Sequence, residues 1–309
     1  MTSTLSARAR LLSWIKYSRV LVPVKKFIPD FVKRNVLAVI AGGQQGVIDL
    51  GNGTKIKYNL SDSYWARYAN NIRDYEPEIW FLLDRYLTPD SIFIDCGANI
   101  GLWSCYAASK VGNRDQVIAV EPSDSILPLL RLNHALNGKK FLLLERAIWY
   151  RSGETMSFTV YSGHASSSLV ETDLPLKPLH KVSVQTVCID DIMGTIPEKA
   201  MQLNDVVVKL DVEGAEQQAL AGASRTLVTK NTLLIYEDHG RDLNSETTAY
   251  FFGKGLNIYF IDDESHGVRR ISDIVELTVI KADPGKGYNF IACRAGTKFD
   301  EDLSGLCVY

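Results

Sequence analysis

Apolar residues fall into short unbroken runs along this chain, separated by polar and glycine-rich turns. Such runs read as strands buried on both faces. Seven are predicted, at 91–96, 117–121, 141–145, 206–211, 231–237, 257–261 and 288–294. Around and between them the spacing turns helical, which predicts helices over 78–86, 101–110, 123–137, 213–221 and 245–254. The alternation implies an α/β fold: a doubly wound, mostly parallel seven-stranded sheet with helices on both faces. Two stretches depart from it. Residues 46–50 and 54–58 alternate in polarity around Gly51-Asn52-Gly53, a hairpin signal. Residues 156–160 and 182–187 are β-like and flank the serine-rich stretch Gly163 to Ser168, which predicts an inserted hairpin at about 155–187. The organisation expected is a small helix and hairpin extension over 1–75 and a main domain over 76–309.

The first core strand runs into Asp95-Cys96-Gly97-Ala98-Asn99-Ile100-Gly101, and the next ends in Glu121 about twenty residues on. Strand, glycine turn, helix, strand and acid is the arrangement by which a doubly wound sheet holds a nucleoside. Glycine lets the backbone approach a ligand where a Cβ would clash. The acid can accept both ribose hydroxyls. The glycines are spaced G-x-x-x-G, not the G-x-G-x-x-G of a dinucleotide site, and a carboxylate at Asp95 would repel a pyrophosphate. It suits a ligand with a positive end, such as the amino group and sulfonium of S-adenosylmethionine. Asp95 also has a plain structural reading as helix N-cap.

A second signature lies downstream. Val206 to Leu210 is apolar except for Lys209, and it leads into Asp211-Val212-Glu213-Gly214-Ala215-Glu216. With both segments in this order, the chain resembles the FkbM-type family of S-adenosylmethionine-dependent methyltransferases. That family pairs D-x-G-A-N-x-G with a later K-x-D-x-E-G-x-E. Tyr75-Glu76-Pro77, Glu121-Pro122, Asn133, Asn137, Ala147, Ser152-Gly153 and Ile189 to Ile192 match as well, over roughly residues 65 to 240. The resemblance implies a Rossmann-like methyltransferase sheet and S-adenosylmethionine as cofactor. It places Asp95, Gly97, Ala98, Asn99, Gly101, Glu121, Pro122, Ala147 and Trp149 around the cofactor. Trp149 and Tyr150 stand where the family often has a small residue and an acid, which implies a stacking aromatic beside the adenine.

Ligands in open α/β sheets bind beyond the carboxyl ends of the strands, where Asp95, Glu121, Asp211 and Glu237-Asp238-His239 are expected to converge. Asp211 is placed nearest the reacting groups, and Glu213 or His239 is the expected general base. Glu213 and Glu216 are read as i, i+3 neighbours in the first helical turn, where each gains about 0.3–1 kcal/mol from the helix dipole. Crowding of three carboxylates raises their pKa values, which is how a base near neutrality is made. A magnesium site built from Asp211, Glu237 and Asp238 is the competing use of these acids, although no spacing is diagnostic of a metal. His134 is expected on a helix surface and His180 in a loop. His164 is read as a solvated loop residue or an acceptor contact, and Trp103 as core packing or a face for the sulfonium.

Composition narrows the partners. The net charge of −2 draws the chain neither to nucleic acid nor to a membrane. Five cysteines without metal spacing predict reduced thiols and a cytoplasmic setting. Basic residues 8–34 predict a helix packed on the core or, alternatively, a peripheral contact with a membrane or an anionic partner. The FkbM-type resemblance implies O-methylation of a hydroxyl on a sugar, glycan or polyketide-like acceptor. Two rivals remain at this point: a dinucleotide-dependent oxidoreductase, and an inactive methyltransferase-like subunit of a glycan-assembly complex.

Overall fold

The structure is a computed structural model that describes residues 43–161, 178–240, 242, 244–262, 267–284 and 288–307. The basic segment 8–34 and the loop carrying His164 lie outside the described residues. Strands β1 (Gln45–Gly51) and β2 (Thr54–Asn59) pair antiparallel. Their turn places Asn52 and Gly53 at φ of 50° and 76°, as an N-G hairpin turn requires. Helix α1 (Ser63–Tyr68) is capped by the Asp62 carboxylate, which accepts from the Tyr64 N–H. Helix α2 (Pro77–Tyr86) starts on proline, whose missing N–H costs nothing at that position, and buries Ile79, Trp80, Leu82, Leu83 and Tyr86.

The first half of the sheet follows as β3 (Ile92–Cys96), α3 (Leu102–Ala107), β4 (Val117–Val120), α4 (Leu127–Leu136) and β5 (Leu142–Leu144). A separate three-stranded sheet, ordered β6-β8-β7, consists of β6 (Ala147–Ile148), β7 (Thr155–Tyr161) and β8 (Pro178–Val187). After α5 (Ile189–Thr195) and α6 (Glu198–Met201) come β9 (Asp205–Leu210), α7 (Glu216–Ala221), α8 (Ser224–Thr229) and β10 (Asn231–Glu237). The chain closes with α9 (Glu246–Gly253), β11 (Leu256–Ile261), β12 (Val268–Ile271), α10 (Val275–Ile280), β13 (Asn289–Arg294) and α11 (Lys298–Leu306).

The large sheet has eight strands, not seven, in the order β12-β11-β13-β10-β9-β3-β4-β5. The additional strand is β12, whose Val268-Arg269-Arg270-Ile271 lacks an apolar run because an edge strand needs only its ends buried. Strands β10, β9, β3, β4 and β5 run parallel, whereas β13 is antiparallel to both β10 and β11, so the sheet is mixed. The pleat sorts side chains into two cores. Phe93, Ala119, Val207 and Ile235 face a cluster with Leu82, Leu102, Leu130 and Phe299 from α2, α3, α4 and α11. Ile94, Ile118, Val208 and Leu234 face Ile192, Leu220, Phe251 and Leu277 from α5, α7, α9 and α10. Each such buried valine, leucine, isoleucine or phenylalanine contributes roughly 1.5–3 kcal/mol.

The β1–β2 hairpin shares the first of these cores through Ile48, Leu50, Ile56 and Tyr58. Asn133 and Asn137 of α4 fasten it. Asn133 accepts from the Lys57 N–H (2.7 Å) and donates to the Lys57 carbonyl (3.0 Å). Asn137 repeats the pattern at Lys55 (3.0 and 2.7 Å). Four residues of helix rise about as far as two residues of strand, so an i, i+4 pair of asparagines matches alternate strand residues. Among the described residues no helix is long and apolar enough to cross a membrane. All five cysteines are free thiols.

Candidate functional site

Parallel register sets Asp95 beside Lys209 and beside Ala119, and Lys209 beside Ile235. Two residues further along the same pleated face stand Glu121, Asp211 and Glu237. All therefore project from the carboxyl ends of adjacent strands toward one rim.

The glycine turn is shaped by close backbone contacts. The Gly97 and Ala98 N–H groups both donate to the Val120 carbonyl (2.9 and 3.0 Å). Gly97 has φ 81°, and a Cβ there would lie 1.9 Å from the Asp211 carbonyl oxygen. Only glycine allows the β3 turn and the end of β9 to come this close. Gly101 has φ 87°, and a Cβ there would lie 2.6 Å from Leu130 Cδ1, so glycine also sets the spacing of α3 and α4. Asn99, at φ 50°, donates its N–H to Glu121 Oε2 (2.8 Å), and Ser123 donates its N–H to Oε1 (2.9 Å). Two amides thus aim the Glu121 carboxyl, one to each oxygen. Burial pushes this group up to about 7, with the two amides pulling the other way.

Asp95 is fully buried. The Ser104 hydroxyl donates to its Oδ2 (2.5 Å), and its Oδ1 has no hydrogen-bond partner. Asp95 is not the N-cap of α3, which begins at Leu102 after left-handed Gly101; Ser104, in the first turn of that helix, reaches back to the Asp95 carboxyl. Burial holds the Asp95 carboxyl above its usual range, and Lys209 and Ser104 oppose this.

Lys209 is a buried cation, 2.7 Å from Asp211 Oδ2. Burial disfavours its charge, yet Asp211, Glu76 and Asp95 more than offset that and hold it firmly protonated. The segment after Asp211 is not helical, contrary to expectation. Glu213 and Gly214 take φ of 51° and 94°, and α7 begins only at Glu216. The Glu216 Oε1 accepts from the Val212 and Gly214 N–H groups (3.2 and 3.3 Å), which folds the loop back and delays the helix. Glu213 and Glu216 are therefore not neighbours on one helix face. Glu216 serves the loop, while Glu213 stays half-buried beside Asp211. Burial, then Asp211 and Glu216, raise the Glu213 carboxyl well above its usual range.

At the end of β10 the pleat separates the three neighbours. Asp238 turns to the opposite face, where Oδ1 pairs with Lys281 (2.7 Å) and Oδ2 accepts from the Thr248 N–H and hydroxyl. It cannot share an ion with Asp211 and Glu237, which removes the magnesium trio expected as an alternative. Glu237 faces the rim, raised by burial and then by Asp211, Glu213 and Glu76. His239 follows two residues on and is half-buried.

The remaining expected residues lie further along. Pro122 continues from Glu121. Ala147 packs with Phe158, Val160 and Val184 in the small sheet. Trp149 is tied by its N–H to the Val187 carbonyl (3.0 Å), and its ring lies 5.8 Å from that of Tyr150. Trp103 is core: it stacks on Tyr75 (6.0 Å) and meets Trp80 edge-on (4.7 Å). His180 sits on β8, not in a loop, with Nε2 3.0 Å from Asp124.

Two rim residues fall in the motifs that carry the family resemblance, yet the sequence assigns neither a role. Lys209 had a signal, a single charge inside an apolar strand. Glu76 enters the sequence reading only within the Tyr75-Glu76-Pro77 match, ahead of a helix. It stands at φ 43° at the head of α2, with Oε2 buried and unpartnered. Burial raises its carboxyl to about 7, opposed by Lys209 and reinforced by Asp211 and Glu78.

A family model described as the methyltransferase FkbM domain matches residues 95–265, more than half of the chain. The chain belongs to the FkbM methyltransferase family. The match begins at Asp95, takes in Glu121 and Lys209 to Glu216, and leaves Glu76 outside. A curated relative, "Methyltransferase 1" of Beauveria bassiana, is 25% identical over 150 residues. That alignment spans 43% of this chain and 58% of the relative. Among solved structures, an FkbM methyltransferase from Methylobacillus flagellatus matches at TM-score 0.38 and 15% identity, over 85% of this chain and 59% of that one. An SAM-dependent O-methyltransferase from Thermotoga maritima matches at 0.39 and 13%, over 82% and 77%. Neither superposes closely enough to bear on the site.

Proposed function

We propose that this FkbM-family chain transfers a methyl group from S-adenosylmethionine to a hydroxyl of a sugar, glycan or polyketide-like acceptor. One observation carries the reading: at the end of β4, the Asn99 and Ser123 amides each take one oxygen of a buried carboxyl, Glu121. Each oxygen keeps a second lone pair, and a vicinal diol such as a ribose needs two such acceptors. The buried Asp95 Oδ1, at the entry to the same turn, is a further acceptor suited to a donor or a cation. The residues therefore fit the group.

When bound, S-adenosylmethionine supplies an electrophilic methyl on a sulfonium. The chain supplies position and proton handling. Glu121 holds the ribose end. Gly97 to Gly101 shape the turn, and Gly97 keeps it against the Asp211 backbone. Lys209 takes one oxygen of Asp211 and fixes that carboxylate at the rim. Glu213, raised by burial and by its acidic neighbours, is the base that removes the acceptor proton, with His239 the rival for that step.

The test is incubation with radiolabelled donor and a panel of glycans and polyketide-like alcohols, with calorimetry of donor and S-adenosylhomocysteine in parallel. Transfer to a hydroxyl supports the reading. Binding without transfer to any acceptor reduces the chain to a methyltransferase-like binding subunit. No heat with either ligand, on folded protein, ends it.

A further inference from the structure

The rim is more acidic than a ribose-binding carboxylate and one catalytic acid require. Glu76 from α2 and Glu237 from β10 join Asp95, Asp211 and Glu213 around Lys209, the one cation among the described residues of this cluster. Two carboxyl oxygens in it, Asp95 Oδ1 and Glu76 Oε2, are buried and lack any hydrogen-bond donor. A buried carboxyl oxygen without a partner is costly to maintain and is satisfied by a donor or a cation. Glu76 is held there by a left-handed backbone that a glutamate adopts only under constraint from its surroundings. Glu237 is fixed on the rim by its register opposite Asn289, whose amide donates to Glu78 (2.7 Å) on the helix that begins just after Glu76.

We propose that Glu76 and Glu237 form the sulfonium side of the pocket, so that the chain binds the donor more tightly than the by-product that has lost the sulfonium charge. This rests on the S-adenosylmethionine reading above and adds a residue, Glu76, that lies outside the matched family domain. S-Adenosylmethionine carries a sulfonium that S-adenosylhomocysteine lacks, and the two are otherwise nearly the same shape. They differ by that charge and by one methyl group, and carboxylates in the surroundings act on the charge. Methyl transfer then removes the charge that these carboxylates hold, and the by-product leaves more readily.

The groups facing Glu76 are Lys209 and Asp211 from β9, Glu237 from β10, the Asn289 amide from β13, Glu78 on the helix that follows it, Tyr64 from α1 and Tyr75 beside it. Those facing Glu237 are Asp211, Glu213, Glu76 and Lys209. Burial, above all, raises the Glu76 carboxyl to about 7. An arriving cation pulls it down, so donor binding near pH 7 releases protons from this group.

The experiment is isothermal titration calorimetry of S-adenosylmethionine and S-adenosylhomocysteine at pH 6.5 and 8, in buffers of different ionisation enthalpy. It uses the wild type, Glu76→Gln and Glu237→Gln. Glutamine mimics the protonated carboxyl in shape, and melting of the unliganded variants at pH 6 confirms that they fold. The expected result is donor binding about tenfold tighter than by-product binding at pH 8, on the scale of one charge-assisted contact. The preference shrinks at pH 6.5, and proton release accompanies the donor only. Either variant weakens the donor about three- to tenfold and leaves the by-product within about twofold. By-product binding as tight as the donor's overturns the inference and leaves the donor site standing. A preference that survives both substitutions overturns it as well. Failure of both ligands to bind the wild type removes the underlying reading and this one with it.

Discussion

The sharpest test of the site's construction is Gly97→Ala, because a second glycine provides its control. Alanine at φ 81° carries left-handed strain of roughly 1–2 kcal/mol. Its Cβ would also lie 1.9 Å from the Asp211 carbonyl oxygen, where ordinary contact starts at 3.4 Å. The end of β3 and the end of β9 must therefore part by about 1.5 Å, a shift comparable to those of overpacked cores. That movement breaks the bond from the Asp211 N–H to the Cys96 carbonyl (3.0 Å), worth about 1 kcal/mol. Strain, displacement and the lost bond together give about 3–5 kcal/mol. Gly255, at φ 75°, has nothing within 4 Å of an added Cβ, so Gly255→Ala carries the strain alone, about 1–2 kcal/mol. Urea unfolding of both variants under one condition gives the difference directly, and donor calorimetry on the folded fraction shows whether the turn has moved. Equal losses for the two variants would refute the close approach of turn and strand end on which the site map depends.

Four further outcomes are expected. Glu121→Ala weakens donor binding by about 1.5–3 kcal/mol through lost charged hydrogen bonds, and unchanged affinity in calorimetry would remove the ribose assignment. Glu213→Gln spares donor affinity and lowers turnover, whereas an unchanged rate in a radiolabel assay passes the base to His239. Asn133→Ala leaves the Lys57 N–H and carbonyl and the Ile100 carbonyl without their side-chain partner, and thermal melting should show a loss of about 2–3 kcal/mol. The unliganded protein loses stability as pH rises from about 5 to 8. Glu76, Glu121 and Glu216 each titrate near 7 in the fold against an ordinary 4.5, so the folded state holds their protons longer than the unfolded chain does. One such group alone accounts for about 3 kcal/mol at most, and urea midpoints that rise across this range would contradict the burial of these carboxyls.

How much of this was legible beforehand depended on whether a feature is local. The buried strands and the hairpin turn announce themselves in a few consecutive residues, because a strand covered on both faces must be apolar throughout and an N-G turn needs its two left-handed positions. The positions of Asp95, Glu121 and Asp211 at strand ends follow from the same runs. Features decided by distant partners stayed hidden. Asp238 and Glu237 look alike in sequence, and only the pleat and Lys281, 43 residues away, divide them. The helix expected from 213 fails because the Glu216 carboxyl captures two loop amides, a choice that helical spacing does not encode. Strand β12 shows only two apolar ends. Glu76 is marked by the Tyr75-Glu76-Pro77 match, but its place at the rim depends on the docking of α2 on the first core, a tertiary event.

The rim's construction explains why its costs are tolerated. Left-handed Asn99, Glu213 and Glu76, a buried lysine and several carboxyls raised by burial all oppose folding. They gather where β3, β4 and β9 end, and each of those strands is almost wholly buried between two apolar clusters. Such strands cannot slip by one residue without turning Phe93, Ala119 and Val207 into the wrong core and the charged side chains with them. The register that the cores enforce is therefore the register that holds Asp95 against Lys209. The strain sits at the ends, where a cationic ligand can relieve it, and the cores hold the strands in place until one arrives.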